Sequence, residues 1–410
     1  MKEDLLSHLK ESPLMHHHCQ IQKESLHYLS FSFPLNEEGD PLAWLFHSSL
    51  FPQCYWEESL AGWRSAMAGQ LYDSPLLPRY IEGEERIYTR STCFQDPHSS
   101  RFFIPRISFD EDEGGQKIVI RGKSREEISH FIPSLSKAPL PSLFPFEGRI
   151  DAPSLSGWEE RIEEALLAIQ RGQLTKVVAA RATHFQKAPH PYSLLSALRR
   201  AKEETYYFSY VPSPEEALFF GASPETLYRR HRNHIWGTPL AGTVPYGNEE
   251  QLLMRQKERR EIDSVCRGVW NALHPLSEHC EVATSPSLHT TPTTHHLAAP
   301  FLALLKQDVD DLSIIASLHP TPAVGGEPKQ YALDWIAQNE PFSRQYYGAP
   351  IGWITSEESH LVVGIRSGLY QEGKSTLFAG AGIVAGSSPQ EEWQELDQKI
   401  LLFLQAGNGK

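Results

Sequence analysis

No stretch of this 410-residue chain is long and apolar enough to cross a bilayer as a helix. The longest clear apolar run, 297–305, has nine residues and is interrupted by Pro300; a span takes about 20. Positive charge is also short. Lys and Arg total 38 against 51 Asp and Glu, a formal net charge of −13, and the pI is about 5.8. That balance argues against a general nucleic-acid binder, because phosphate needs a basic surface. Cysteine is scarce. Cys19, Cys54, Cys93, Cys266 and Cys280 are odd in number and form no CxxC, which excludes a disulfide framework and a zinc ribbon. The opening MKEDLLSHLKESP places Lys2, Glu3 and Asp4 where a secretory leader has a basic end and an apolar run. The expectation is a cytoplasmic protein with no membrane partner. His16-His17-His18-Cys19 reads as a polar N-terminal tail.

What is present is ordinary globular material: 40% hydrophobic and 22% charged residues. The length admits two or three domains or one large α/β unit. Residues 1–150 are rich in aromatics and turns. Within them SSRFFIPRISFDEDEGGQKIVIRGK reads as strand, acidic glycine turn, strand. The proline-rich 137–148 is a plausible seam, dividing a first part, 1–150, from a second, 151–410.

The second part has stronger periodicities. Leu155, Trp158, Ile162, Ala165, Leu166 and Ile169 recur at helical spacing, and Gly172 is a natural stop. KVVAARAT from 176, TYYFSYV from 205 and ALFFGAS from 217 read as strands. A long polar helix is expected from about Glu249 to Leu273, ending before Pro275. GAPIGWIT from 348, HLVVGIR from 360 and STLFAGAGIV from 375 are further strands. Ser388-Pro389-Gln390-Glu391 is a capping-box pattern opening a last helix through about Leu404. Strands outnumber helices and several are adjacent, which favours a largely antiparallel α+β sheet over a doubly wound one.

Two acidic pairs carry possible chemistry. Glu258 and Glu261 lie on the central helix, Glu392 and Glu395 on the last. Each i, i+3 pair puts two carboxylates on one helix face. Two such faces brought together would hold a hard cation such as magnesium through oxygen. Either pair alone is better explained by a solvated face, as are the neighbouring Lys257, Arg259 and Arg260. GAGIVAGSSP, 380–389, is a glycine-rich strand-to-helix turn able to cradle an anion, though neither a Walker sequence nor GxGxxG. Lys176 opens an apolar strand, either as a strand-end lysine facing water or as a partly desolvated base. Glu225 follows Ser223-Pro224 at a strand end. Arg366 closes a Val-rich strand and needs an anionic partner if buried.

The second part resembles the chorismate-utilising enzymes: isochorismate, salicylate, anthranilate and aminodeoxychorismate synthases. KVVAAR, FFGASPETL, PLAGTV, KERRE, LHPTPAVGG, EPFSRQYYGAPIGW, VVGIRSGL and AGAGIVAGSSPQEEWQELDQK carry the resemblance over 155–405. FPQCYW and FFIPRISF extend it into the first part. The resemblance implies the chorismate-binding fold, with largely antiparallel sheets flanked by helices. It implies that Lys176 activates water and that Glu225 is general acid on the leaving hydroxyl. Magnesium is implied at Glu261 and Glu395, with Glu258 and Glu392 beside them. Chorismate contacts are implied for Gly242, Thr243, His319, Tyr347, Arg366, Gly382 and Lys399.

Among family members, the anthranilate synthases place glutamine where Lys176 stands, and glutamine cannot deprotonate water. Aminodeoxychorismate synthases carry a lysine nucleophile where this chain has Ala241. HPTPAVGG resembles the isochorismate synthases, and AGTV, EPFSR and EWQELDQK look closest to the menaquinone-type members, for which no glutaminase partner is expected. Ile262, Thr226 and the order Gly348-Ala349 depart from the usual pattern without removing a catalytic group. The resemblance thus implies a magnesium-dependent isochorismate synthase. A salicylate synthase and a non-catalytic binding relative are the alternatives.

Overall fold

Short strands buried on both faces, more than any long helix, organise this molecule: Gln53–Glu58, Tyr206–Val211, Leu218–Ser223 and Pro350–Ile354 are buried at every position. The structure is a computed structural model. It describes residues 7, 9, 10, 12–21, 24–35, 39–74, 80–81, 86–91, 100–132, 139–199, 205–245, 256–283, 285–290 and 294–409. Cys93, the expected helix start near Glu249 and the first residues of the proline-rich seam lie outside them.

The expected hairpin is formed by Ser100–Asp112 and Gly115–Gly122. Ile107 faces Ile120 and Phe109 faces Ile118 across it, and all four side chains are buried. Gly115 takes the turn at φ +110°, a conformation that L side chains rarely adopt. The histidine run is not a tail. It lies in the strand Met15–Ile21, paired with Glu24–Pro34. Period two explains it: His16 is exposed, while His17 is buried, stacks on Tyr28 and has Nε2 2.8 Å from Ser30 Oγ.

One antiparallel path of strands leads through the sheet to the site. Lys176–Lys187 pairs with Lys374–Ile383, that strand with Ser367–Gln371, and Ser367–Gln371 with Leu218–Ser223. The path continues through Tyr206–Val211 to Gln53–Glu58, Trp63–Ser74 and Ser100–Asp112. Strands from both sides of residue 150 therefore share one sheet. Two helices cover the strand Lys374–Ile383. Leu155–Gln170 buries Trp158, Ile162 and Ala165 as its periodicity predicts, although Leu155 itself is exposed. Pro389–Gly407 buries Leu396, Ile400 and Phe403. Trp158 Nε1 donates to the Pro389 carbonyl at 2.9 Å and ties the two helices together. The expected capping box does not form: Ser388 Oγ donates to Gln390 Oε1 at 3.3 Å and makes no cap bond. Pro191–Leu198, Asp311–Leu318 and Lys329–Asn339 are helices that the sequence patterns did not reveal. Among the described residues no helix is long and apolar enough to cross a membrane.

Candidate active site

Lys176 is the first residue of its strand, yet its side chain is fully buried. The strand is pinned from behind by the EPFSR segment. Glu340 Oε1 accepts the Ala180 N–H at 3.0 Å, and Arg344 donates to the carbonyls of Val178 and Val324, each at 2.7 Å. The Lys176 ammonium lies 3.1 Å from Glu261 Oε1, an ion pair outside good hydrogen-bond geometry. Glu261 comes from the helix Gln256–Leu273, whose buried face carries Glu258 and Glu261 along with Ile262, Val265 and Val269. The helix reaches the sheet at Gly382, opposite Val178. A Cβ there would collide with the Glu261 carboxylate and come within 3.0 Å of Lys176 Cε. Only glycine lets the carboxylate sit against the strand.

A pocket opens beside this contact, walled by Glu225, Gly242, Glu261, Tyr347, Gly382 and Lys399, with Arg366 at the same wall. Glu225 is held by its backbone: its N–H donates to Ser223 Oγ at 3.2 Å and its carbonyl accepts from Val363 N–H at 3.0 Å. Burial pushes the Glu225 carboxyl up to about 8, against the pull of Lys176. A carboxyl so placed is a proton donor at neutral pH. Arg366 is buried in the left-handed region at φ +47°, a strained backbone of the kind that clusters at functional sites. Burial brings its guanidinium down to about 10. The Tyr347 ring stacks on Phe378 with centroids 5.4 Å apart.

Glu261, Glu392 and Glu395 lie within electrostatic reach of Lys176, Lys257 and Lys399 at and behind this wall. Lys257 Nζ is 2.6 Å from Glu392 Oε1, and Lys399 Nζ is 2.6 Å from Glu395 Oε1 and 2.7 Å from the Gly380 carbonyl. Lys257 is thus turned inward, not along a solvated face. Burial raises the Glu261 carboxyl, but Lys176, Lys257 and Lys399 outweigh it and hold Glu261 below the usual range. Glu392 goes the other way, up to about 7, through burial and the nearby Glu395. Among the described residues no three acidic, histidine or cysteine side chains already converge as a cation cage. The donor set is nevertheless of the right kind. It is all carboxylate oxygen on two facing helices, and the fully buried Glu392 has an Oε2 with no hydrogen-bond partner.

The structure therefore brings Lys176, Glu225, Gly242, Glu261, Tyr347, Arg366, Gly382 and Lys399 together, with Glu258, Glu392 and Glu395 on the helices behind. Thr243 lies on the strand Leu240–Pro245, opposite His296 in register. His319 is fully buried at the end of the helix Asp311–Leu318 and does not line the pocket. His296, on the strand Thr294–Ala298, does line it, although the sequence patterns did not single it out. A histidine opening an apolar strand, HHLAA, was the available signal.

The family model described as "Chorismate binding enzyme" matches residues 89–406. The chain belongs to this family. The isochorismate synthase MenF of Escherichia coli strain K12 is 30% identical over 425 residues, covering 97% of this chain and 96% of that protein. The salicylate biosynthesis isochorismate synthase of Pseudomonas aeruginosa is 34% identical over 273 residues, 63% of this chain and 56% of that protein. The solved structure of MenF, the menaquinone-specific isochorismate synthase from E. coli, aligns with TM-score 0.81 and 27% identity, covering 99% of this chain and 98% of that one. Anthranilate synthase component I from Streptococcus pneumoniae aligns with TM-score 0.62 at 19% identity, covering 96% and 91%, and shares the fold. The family model begins at residue 89, yet the E. coli alignments run through almost the whole chain, so the first part belongs to the same fold.

Proposed function

We propose that this chain is a cytoplasmic, magnesium-dependent isochorismate synthase whose product enters menaquinone biosynthesis, a role supported by its likeness to the menaquinone-specific MenF of E. coli. The observation that carries the reading is a buried Glu225, its carboxyl pushed up to about 8, in one pocket with the Arg366 cation and with Glu261, the ion-pair partner of Lys176. Chorismate bears two carboxylates. Arg366 and Lys399 hold one of them. Glu261 and Glu395 would hold the metal, with Glu258 and Glu392 beside them. When bound, magnesium neutralises the ring carboxylate.

Lys176 is the base that takes a proton from water as the water oxygen bonds to one ring carbon. The ring double bonds shift, and the hydroxyl on the other carbon departs with the proton of Glu225, leaving as water. One water enters and one leaves, so the reaction is an isomerisation. Ala241 is buried on the pocket wall and offers no nucleophilic lysine, so no covalent adduct forms there. Gly242, Thr243 and Gly382 contribute backbone contacts, Tyr347 packs on the substrate, and His319 supports the wall from behind. No glutaminase partner is needed, because water is the nucleophile.

Purified protein given chorismate and magnesium is expected to accumulate isochorismate, with little salicylate, anthranilate or aminodeoxychorismate by chromatography. Stoichiometric pyruvate release with salicylate would replace this reading with that of a salicylate synthase, and no turnover with that of a binding protein. The pH profile follows from Glu225. The acid form is present below about 8 and lost above it, so kcat/KM falls as pH rises through about 8. Glu225→Gln should remove that alkaline limb from whatever activity remains. An unchanged limb in the variant assigns the titration to another group.

A further inference from the structure

His296 is buried between two groups whose chemistry fixes its proton. Its Nδ1 lies 3.2 Å from the Gly242 carbonyl, which can only accept. Its Nε2 lies 3.3 Å from the Arg366 guanidinium, which can only donate. Both contacts demand the same neutral tautomer, with the proton on Nδ1 and a lone pair on Nε2. The surroundings agree: burial, then Arg366 and Lys399, hold the imidazole well below its ordinary range. Backbone geometry brings the two ends together. Gly242 sits at φ +66° where the register between Leu240–Pro245 and Thr294–Ala298 shifts, which turns its carbonyl toward the ring.

We propose that His296 is a positioning residue for Arg366, receiving the guanidinium on an uncharged acceptor and fixing the plane in which Arg366 meets the substrate carboxylate. The inference rests on the reading of Arg366 as a carboxylate receptor. An imidazole orients the guanidinium without neutralising it, so the positive charge is kept for the ligand. A carboxylate at the same place would orient it equally well and cancel that charge.

The test compares His296→Leu, His296→Gln and His296→Glu with Arg366→Gln, reading KM and kcat for chorismate and the melting temperature of each. His296→Leu is expected to raise KM tenfold or more, the order of a lost hydrogen bond to a charged group, with kcat within about threefold. Gln, which can present an amide oxygen near Nε2, recovers most of that loss. Glu keeps an acceptor yet raises KM at least as much as Leu. An unchanged KM in His296→Leu overturns the proposal. So does a Gln variant as impaired as Leu, or losses in all three that track the melting temperature. If Arg366→Gln leaves KM unaltered, the receptor reading itself falls and takes the proposal with it. That outcome is recognised without reference to the histidine variants.

Discussion

Glu261→Ala and Glu395→Ala should each bring magnesium-dependent turnover below detection, and the double variant should lose nothing more. The two residues sit on different helices and in the proposed site serve one ion, so removing either would empty the same site and the losses would not add. Calorimetric titration with magnesium should show no binding in either variant. Glu261 has a second task, because it faces the buried Lys176 ammonium at 3.1 Å. An alanine there leaves a charge buried without its partner, a change that costs several kcal/mol of stability. Glu261→Gln separates the two effects: it keeps volume and an oxygen near Lys176 but halves the ligand and removes its charge. A folded Glu261→Gln that binds magnesium normally and turns over chorismate would sink the metal assignment, as would full wild-type activity in excess chelator.

The second large effect concerns the proton pair. Lys176→Ala and Glu225→Gln should each lower kcat by about 100-fold or more while chorismate still binds. In the proposed mechanism the lysine acts on water and the glutamate on the leaving hydroxyl, so neither carries the ground-state grip on the carboxylates. Near-normal kcat in either variant ends its assigned role. Loss of binding in place of kcat would move that residue to substrate recognition.

Much of this arrangement was legible in the chain, for physical reasons that differ from place to place. Strand segments such as KVVAARAT declare themselves through short runs of β-branched and apolar residues, and the helix Leu155–Gln170 through its Trp158, Ile162 and Ala165 stripe. The helix Gln256–Leu273 was harder. Its buried face includes Glu258 and Glu261, so the side facing the protein looks like a side facing water. Lys257 misleads for the same reason, since only the arrival of Glu392 from a distant helix makes its inward turn favourable. The histidine run looks like a tail because polarity hides a period-two pattern that the pairing with Glu24–Pro34 reveals. His296 and the Glu340–Arg344 clamp depend on partners more than fifty residues away, and no local pattern encodes those. The roles of Lys176 and Glu225 came from family resemblance. Their burial, and the placing of Lys176 on Glu261 at the edge of the Glu225 pocket, came from the fold.

Continuity of the sheet across residue 150 has a practical corollary for anyone trimming this enzyme. Gln53–Glu58 is the neighbour of Tyr206–Val211, and Ile87–Ser91 is the neighbour of Pro350–Ile354. A fragment beginning near residue 151 would keep every proposed catalytic side chain and lose those two companions. It would present two bare strand edges rich in aromatic and aliphatic residues, ready to pair with a second copy. The first 150 residues, although they carry none of the chemistry, thus act as the selvedge that keeps the catalytic cloth from unravelling into aggregates.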